Sequence, residues 1–174
     1  MISLNQPLDI NQMCIRDRSY SDIFGIILSN IHEPDLSKWN WQMGEDLSST
    51  GVPLRDLSKP SKHGQPEHMN DFKILPDDRP HDFGGVHTNS GIHNKVAHNI
   101  LTAKDDQGSY WFDALTVAKL FYLALTQELS RTSTFQDSRR GMLVRATTLL
   151  RADLLLHEKL GVIAKAFEDV GIQQ

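Results

Sequence analysis

From Asp113 to Leu129 the chain reads DALTVAKLFYLALTQEL, and Val117, Leu120, Phe121, Ala124 and Leu125 fall at positions i, i+3, i+4, i+7 and i+8. That spacing sets five apolar side chains on one face of an amphipathic helix, a face that must be buried against another element. The flanking sequence repeats the pattern. Upstream, Ile92, Val96 and Ile100 recur every four residues with Leu101 beside them, which predicts a helix from about Gly91. Downstream, Ser130 to Thr132 is the exit, and Ser133 with Gln136 three residues on forms a capping box ahead of the stripe Met142, Ala146, Leu149 and Leu150. A last helix carries Leu156, Leu160, Ile163, Ala164 and Phe167, and Gly171 is placed to close it. The fold class is therefore mainly α, a helical bundle.

The N-terminal half differs. YSDIFGIILSNI, from Tyr20 to Ile31, predicts a buried helix opened by Ser21 or Asp22 and ended by Pro34. Between Pro34 and Gly91 six prolines lie among many Asp, Ser, Asn and Gly residues, which predicts long ordered loops with short helical turns rather than a sheet. Trp39, Trp41, Met43, Met69 and Phe83 give those loops bulk to bury. Met1 to Ser19 has neither helical nor strand periodicity. The division expected is a non-homologous or disordered tail over 1–20 and one helical domain over 21–174.

At 174 residues one core suffices, and 39% hydrophobic with 23% charged residues is the composition of a soluble globular chain. A net charge of −4 without any lysine or arginine run makes nucleic acid an unexpected partner. No apolar stretch approaches the ~20 residues of a membrane span, and the N-terminus lacks the pattern of a secretory signal, so no membrane partner is expected. With Cys14 as the one cysteine, neither an intrachain disulfide nor a thiolate zinc cluster can form.

Six of the eight histidines, His63, His68, His81, His87, His93 and His98, fall between Lys62 and Asn99. His93 and His98 are five apart, on different faces of a helix, whereas a zinc pair needs i and i+4. Most of the six read as solvated loop residues. His87 stands apart in DFGGVHTNSG, where two glycines permit a tight turn and Asp82 lies five residues upstream. A carboxylate returning across that turn can accept a hydrogen bond from one ring nitrogen and fix the tautomer. The ring is then a ready donor to an oxyanion, or equally half of a pair that staples a loop.

SDIFG at 21–25, WQMGED at 41–46, LRDLSKPSKHGQPEHM at 54–69, GGVHTNSGIHNK at 84–95, FYLALTQELSRTSTFQDSR at 121–139 and KAFEDVGI at 165–172 together resemble the thermolysin-like neutral metallopeptidases. The resemblance is collinear from about Ser21 to Ile172, and GGVHTNSGIHNK is its most specific part. It implies the helical C-terminal domain of a secreted two-domain endopeptidase, with the cleft between it and an N-terminal metal-binding domain. In such enzymes a zinc-bound water attacks the peptide carbonyl and a glutamate of a His-Glu-x-x-His helix is the base. By this resemblance His87 donates to the tetrahedral oxyanion and Asp82 orients it. Arg55 grips a substrate carbonyl, Leu54 walls the pocket for the residue after the scissile bond, and Asp22 holds a zinc-ligating histidine. Substrate would be a peptide or protein.

There are departures. No His-Glu-x-x-His occurs, and the family's third ligand, a glutamate four positions before Asp22, falls on Arg18, so this chain supplies no zinc ligand. QMCIRDRS at 12–19 looks unrelated to the family, as though a foreign segment had replaced the start of the helix. The chain alone is therefore expected to be truncated and inactive. The family's calcium-binding acids correspond to Ser29, Asn40 and Gln42, with Glu45 retained, and the lowered ligand charge argues against a tight calcium site. The alternative is a non-catalytic helical binding or structural module with an exposed apolar patch around Leu54 and His87.

Overall fold

The computed structural model describes residues 10–47 and 49–173, with side chains from Cys14 onward. Its elements are α1 (Ile10–Ser29), β1 (Gln42–Met43), β2 (Arg55–Asp56), the short turn α2 (Asp82–Gly85), α3 (Ser90–Thr102), α4 (Ala114–Gln127), α5 (Phe135–Leu149) and α6 (Leu156–Glu168). The protein is mainly helical. α3 is the central rod, packed against α1, α4 and α6, while α5 joins α4 to α6. The predicted stripes meet in the middle: Ile92, Val96 and Ile100 of α3, Val117, Leu120 and Phe121 of α4, Met142 of α5, and Ile163 and Phe167 of α6 are all fully buried.

Helix ends follow local chemistry. Asp113 caps α4 through the backbone N–H of Thr116. The capping box of α5 is Thr134 with Asp137, one residue beyond the expected Ser133 and Gln136. The shift has a cause: the Ser133 hydroxyl already accepts the Ser130 N–H within the preceding turn, which leaves Thr134 to cap. After α6, Gly171 takes φ 81°, with hydrogen bonds from Gly171 N to Glu168 O and from Ile172 N to Phe167 O, the Schellman pattern.

α1 begins at Ile10, not at Tyr20, so much of the stretch read as a tail is helix; residues 1–9 lie outside those described. Ile15 is fully buried, and the guanidinium of Arg16, itself buried, donates to the carbonyls of Ser133 at 3.0 Å and Ser130 at 3.2 Å. Ser21 and Asp22, expected at the helix start, sit in its interior. Periodicity failed here because the buried face includes Arg16 and Ser19, whose terminal guanidinium nitrogens and hydroxyl find partners inside the fold.

The proline-rich region forms 3-10 turns at Leu36–Lys38, Glu45–Leu47, Pro60–His63, Met69–Asp71 and Arg79–His81. The expectation of no sheet needs one correction. β1 and β2 pair antiparallel, Gln42 opposite Asp56 and Met43 opposite Arg55, a ladder too short to leave an alternating pattern in the sequence. Trp39 and Trp41 pack on one another at 5.4 Å, and His98 of α3 meets Trp41 edge-on, which fixes these loops to the bundle.

Candidate functional site

Asp82, Phe83, Gly84 and Gly85 have φ values of 60°, 48°, 79° and 76°, so α2 is a coil of left-handed hand. Glycine adopts this backbone freely, whereas Asp82 and Phe83 carry strain. The turn is held from outside, because Phe83 N donates to Asp78 O at 2.8 Å and Gly84 N to Pro76 O at 2.9 Å. Fully buried Asn89 braces it by pairing both ways with the backbone of Lys73. A Cβ on Gly85 would stand 2.8 Å from the Asn89 amide nitrogen.

The coil returns the Asp82 carboxylate to His87. Oδ1 lies 2.6 Å from Nδ1 of the ring, and Oδ2 accepts the backbone N–H groups of His87 and Thr88 and the Thr88 hydroxyl. An ionised carboxylate only accepts, so Nδ1 carries the proton. Nε2 has no partner among the described residues, on a side chain 45% exposed. Burial alone would raise the Asp82 pKa, but the hydrogen bonds from His87 and Thr88 outweigh it and hold the carboxyl below its usual range.

A second pair lies nearby. Asp22, buried on α1, accepts from Arg55 Nη1 at 3.1 Å and from Asn94 Nδ2 of α3 at 2.9 Å. Burial raises its pKa, while the Asn94 bond and the charges of Arg55, His87 and Arg18 pull the other way. The turn α2 that carries Asp82 packs against α1, which carries Asp22, so the two pairs lie on neighbouring elements. Arg55 stands on β2, and Leu54 just before it is exposed and packs over Gly44, whose φ is +80° and where a Cβ would come within 2.9 Å of the leucine side chain.

Two supporting residues escaped the sequence reading. Asn94 holds Asp22, and buried Gln65 donates to the His87 carbonyl at 2.6 Å and to the Ser90 hydroxyl at 3.2 Å. The available signal was Gly91: a Cβ there would fall 2.6 Å from that of Gln65, so glycine is needed for the loop to approach α3. Two histidines also depart from the solvated reading. His93 is fully buried between Ser19 and Ser138, whose hydroxyls lie 2.9 and 2.8 Å from its ring nitrogens, and burial pushes its pKa down to about 3. His98 is mostly buried, and its pKa is pushed down to about 4 by the same cause.

Among the described residues no group of three or more His, Cys, Asp or Glu side chains could hold a metal ion. Both Asp22 oxygens are engaged, and Arg18, one turn earlier, is exposed. These residues do not fit a zinc ion. At the calcium-related positions, the Asn40 amide donates to Glu45 at 2.6 Å and its carbonyl accepts Gln42 N. No described helix is long and apolar enough to cross a membrane.

Against known proteins, residues 17–172 match the model of the thermolysin metallopeptidase α-helical domain. The chain is 37% identical to a bacillolysin of Bacillus amyloliquefaciens over 83% of its own length and 24% of that protein's. It is 36% identical to neutral protease NprE of Bacillus pumilus, over 86% of this chain and 42% of that one. A third similar protein, an extracellular elastase of Staphylococcus epidermidis, is 35% identical over 90% of this chain and 26% of its own. The structure of the precursor of protealysin, a metalloproteinase from Serratia proteamaculans, superposes with a TM-score of 0.71 at 28% identity, over 88% of this chain and 48% of that one. The chain thus spans between a quarter and a half of the proteins it matches. By the extent of that match and by its helical architecture, it belongs to the thermolysin metallopeptidase family, as the family's α-helical domain.

Proposed function

We propose that this chain is the helical half of a secreted zinc metalloendopeptidase acting on peptides or proteins, and that its own contribution is oxyanion stabilisation and substrate clamping. The observation that carries the reading is the Asp82–His87 pair, whose Nε2 has no partner among the described residues, on a half-exposed ring just after the turn that packs on α1. With Nδ1–H committed to Asp82, Nε2 donates to an oxyanion only as the imidazolium. Arg55 gives Nη1 to Asp22 and keeps the rest of its fork for a substrate carbonyl. Leu54 favours an apolar residue after the cleaved bond. Asp22 orients a metal-binding histidine of the N-terminal domain, since the described residues offer no set of zinc ligands.

The test is a hybrid that keeps the Bacillus amyloliquefaciens bacillolysin up to the residue before Ser21 and continues with residues 21–174 of this chain. It should hydrolyse casein, and His87→Ala should lower kcat/KM by ~10²–10³ with bound zinc unchanged. Unchanged turnover would refute the role. The chain by itself should neither bind zinc nor cleave casein. Arg18 at the position of a ligand favours a second reading, a non-catalytic module that kept the fold; an inactive hybrid that still binds zinc would support it.

A further inference from the structure

At 100° per residue, Phe24 and Leu28 of α1 lie roughly 200° and 240° round the helix from Asp22, so a different side of α1 faces away from the candidate site. On that side is a groove of about 690 Å³, formed by Phe24 and Leu28 of α1, Ile31 just after it, Trp39, and Leu115 and Ala118 of α4. Leu28, Ile31 and Leu115 are each more than half exposed. The groove is rigid where Trp39 forms its wall, because the indole N–H donates to the Glu33 carbonyl at 2.8 Å. Its lining includes two charged residues, Glu33 and Asp113, both acidic.

The turn between α5 and α6 is its complement. Leu154 at its tip is 99% exposed and Leu155 is 49% exposed. The tip is preformed: Asp153 N donates to Leu150 O, Leu155 N donates to Asp153 Oδ1 at 2.9 Å, and Asp153 Oδ2 pairs with Lys159 at 2.7 Å. Lys159 is thereby occupied, and exposed Arg151 is the free cation closest in sequence to the tip among the described residues. A fixed apolar knob beside a positive charge thus exists on the same molecule as an apolar hole with an acidic rim.

We propose that Leu154 and Leu155 of one copy of this chain insert into the α1–α4 groove of a second copy, with Arg151 facing Glu33 and Asp113. The contact joins two different surfaces, so it is heterologous and propagates head to tail unless its rotation closes a ring. It is independent of the protease reading.

Sedimentation velocity of the full 174-residue chain tests it. The weight-average sedimentation coefficient should rise with concentration. Leu154→Asp and Leu115→Asp should each weaken self-association by at least about tenfold, the weight of burying one leucine. Both positions face solvent, so their melting curves should match that of the parent; if one does not, Arg151→Glu replaces it and should weaken association most at low salt. Mixing the two Asp variants is decisive. One keeps an intact groove and the other an intact knob, so the mixture should form a 1:1 dimer and nothing larger. A chain that stays monomeric at hundreds of micromolar, association that survives both substitutions, or a mixture that remains monomeric would each overturn the proposal.

Discussion

Asp22 of α1 and Arg55 of β2 are joined at 3.1 Å, and because Asn94 of α3 takes the second oxygen, one buried carboxylate ties the first helix, the hairpin and the central helix together. Removing one partner of a buried pair leaves the others uncompensated. Asp22→Ala should therefore lower unfolding stability by about 2–4 kcal/mol in urea titrations. Arg55→Ala should cost more than Asp22→Ala, since it leaves the buried Asp22 carboxylate held by Asn94 alone, whereas the partly solvated Arg55 guanidinium left by Asp22→Ala can find water. Equal losses would show that the pair is not the tie described.

His93 sets an acid limit. Its folded pKa, about 3, lies below the ordinary 6.5 because burial disfavours the imidazolium and Arg16 adds to the effect. The unfolded chain therefore binds a proton first, and stability falls as pH drops from about 6.5 towards 3, by roughly 1 kcal/mol per pH unit. Asp56, Asp82, Asp113 and Asp137, with lowered pKa values, add losses only in the carboxylate range below that. Between pH 6.5 and 5 the melting temperature of the parent should fall more steeply than that of His93→Gln. Parallel slopes would place the ring in contact with solvent.

Phe83 holds a left-handed backbone at φ 48° with half its surface exposed, so strain is large relative to the burial it gains. Phe83→Gly relieves a cost of about 1–2 kcal/mol and gives back part of it as unfolded-state entropy. The expected net is a melting temperature a few degrees higher by scanning calorimetry. A decrease would mean that the aromatic ring contributes more than its exposure suggests.

Gln65 pins the carbonyl of His87, and the Ser90 hydroxyl, which also donates to that carbonyl at 2.8 Å, is the remaining donor once it is removed. Gln65→Ala should cost about 1–2 kcal/mol. Hydrogen exchange should quicken at Thr88 and Asn89 while the amides of α4 keep their protection. Gln65→Glu should fare no better, since a carboxylate cannot donate to a carbonyl.

What the chain discloses before folding depends on whether burial is written in apolar letters. The stripes of α3 to α6 and the left-handed Gly171 were legible because leucine, isoleucine and glycine announce their surroundings. The Asp82–His87 pairing was legible because only five residues and two glycines separate the partners. The start of α1 was not, since its inner face presents Arg16 and Ser19, which become tolerable inside only when the Ser130 and Ser133 carbonyls and His93 arrive from over seventy residues away. The same distance hid His93, which looks like any polar residue until Ser138 and three phenylalanines surround it. Asn94 was silent for a like reason, and Gln65 showed only through Gly91: their roles are contacts across the fold.

A single unbroken rod carries Ser19 against the bundle's interior, Asp22 towards Arg55, and Leu28 on the outer wall. Because the three stations share one helix of fixed pitch, within a span of ten residues, their spacing and angular order are set together by the backbone.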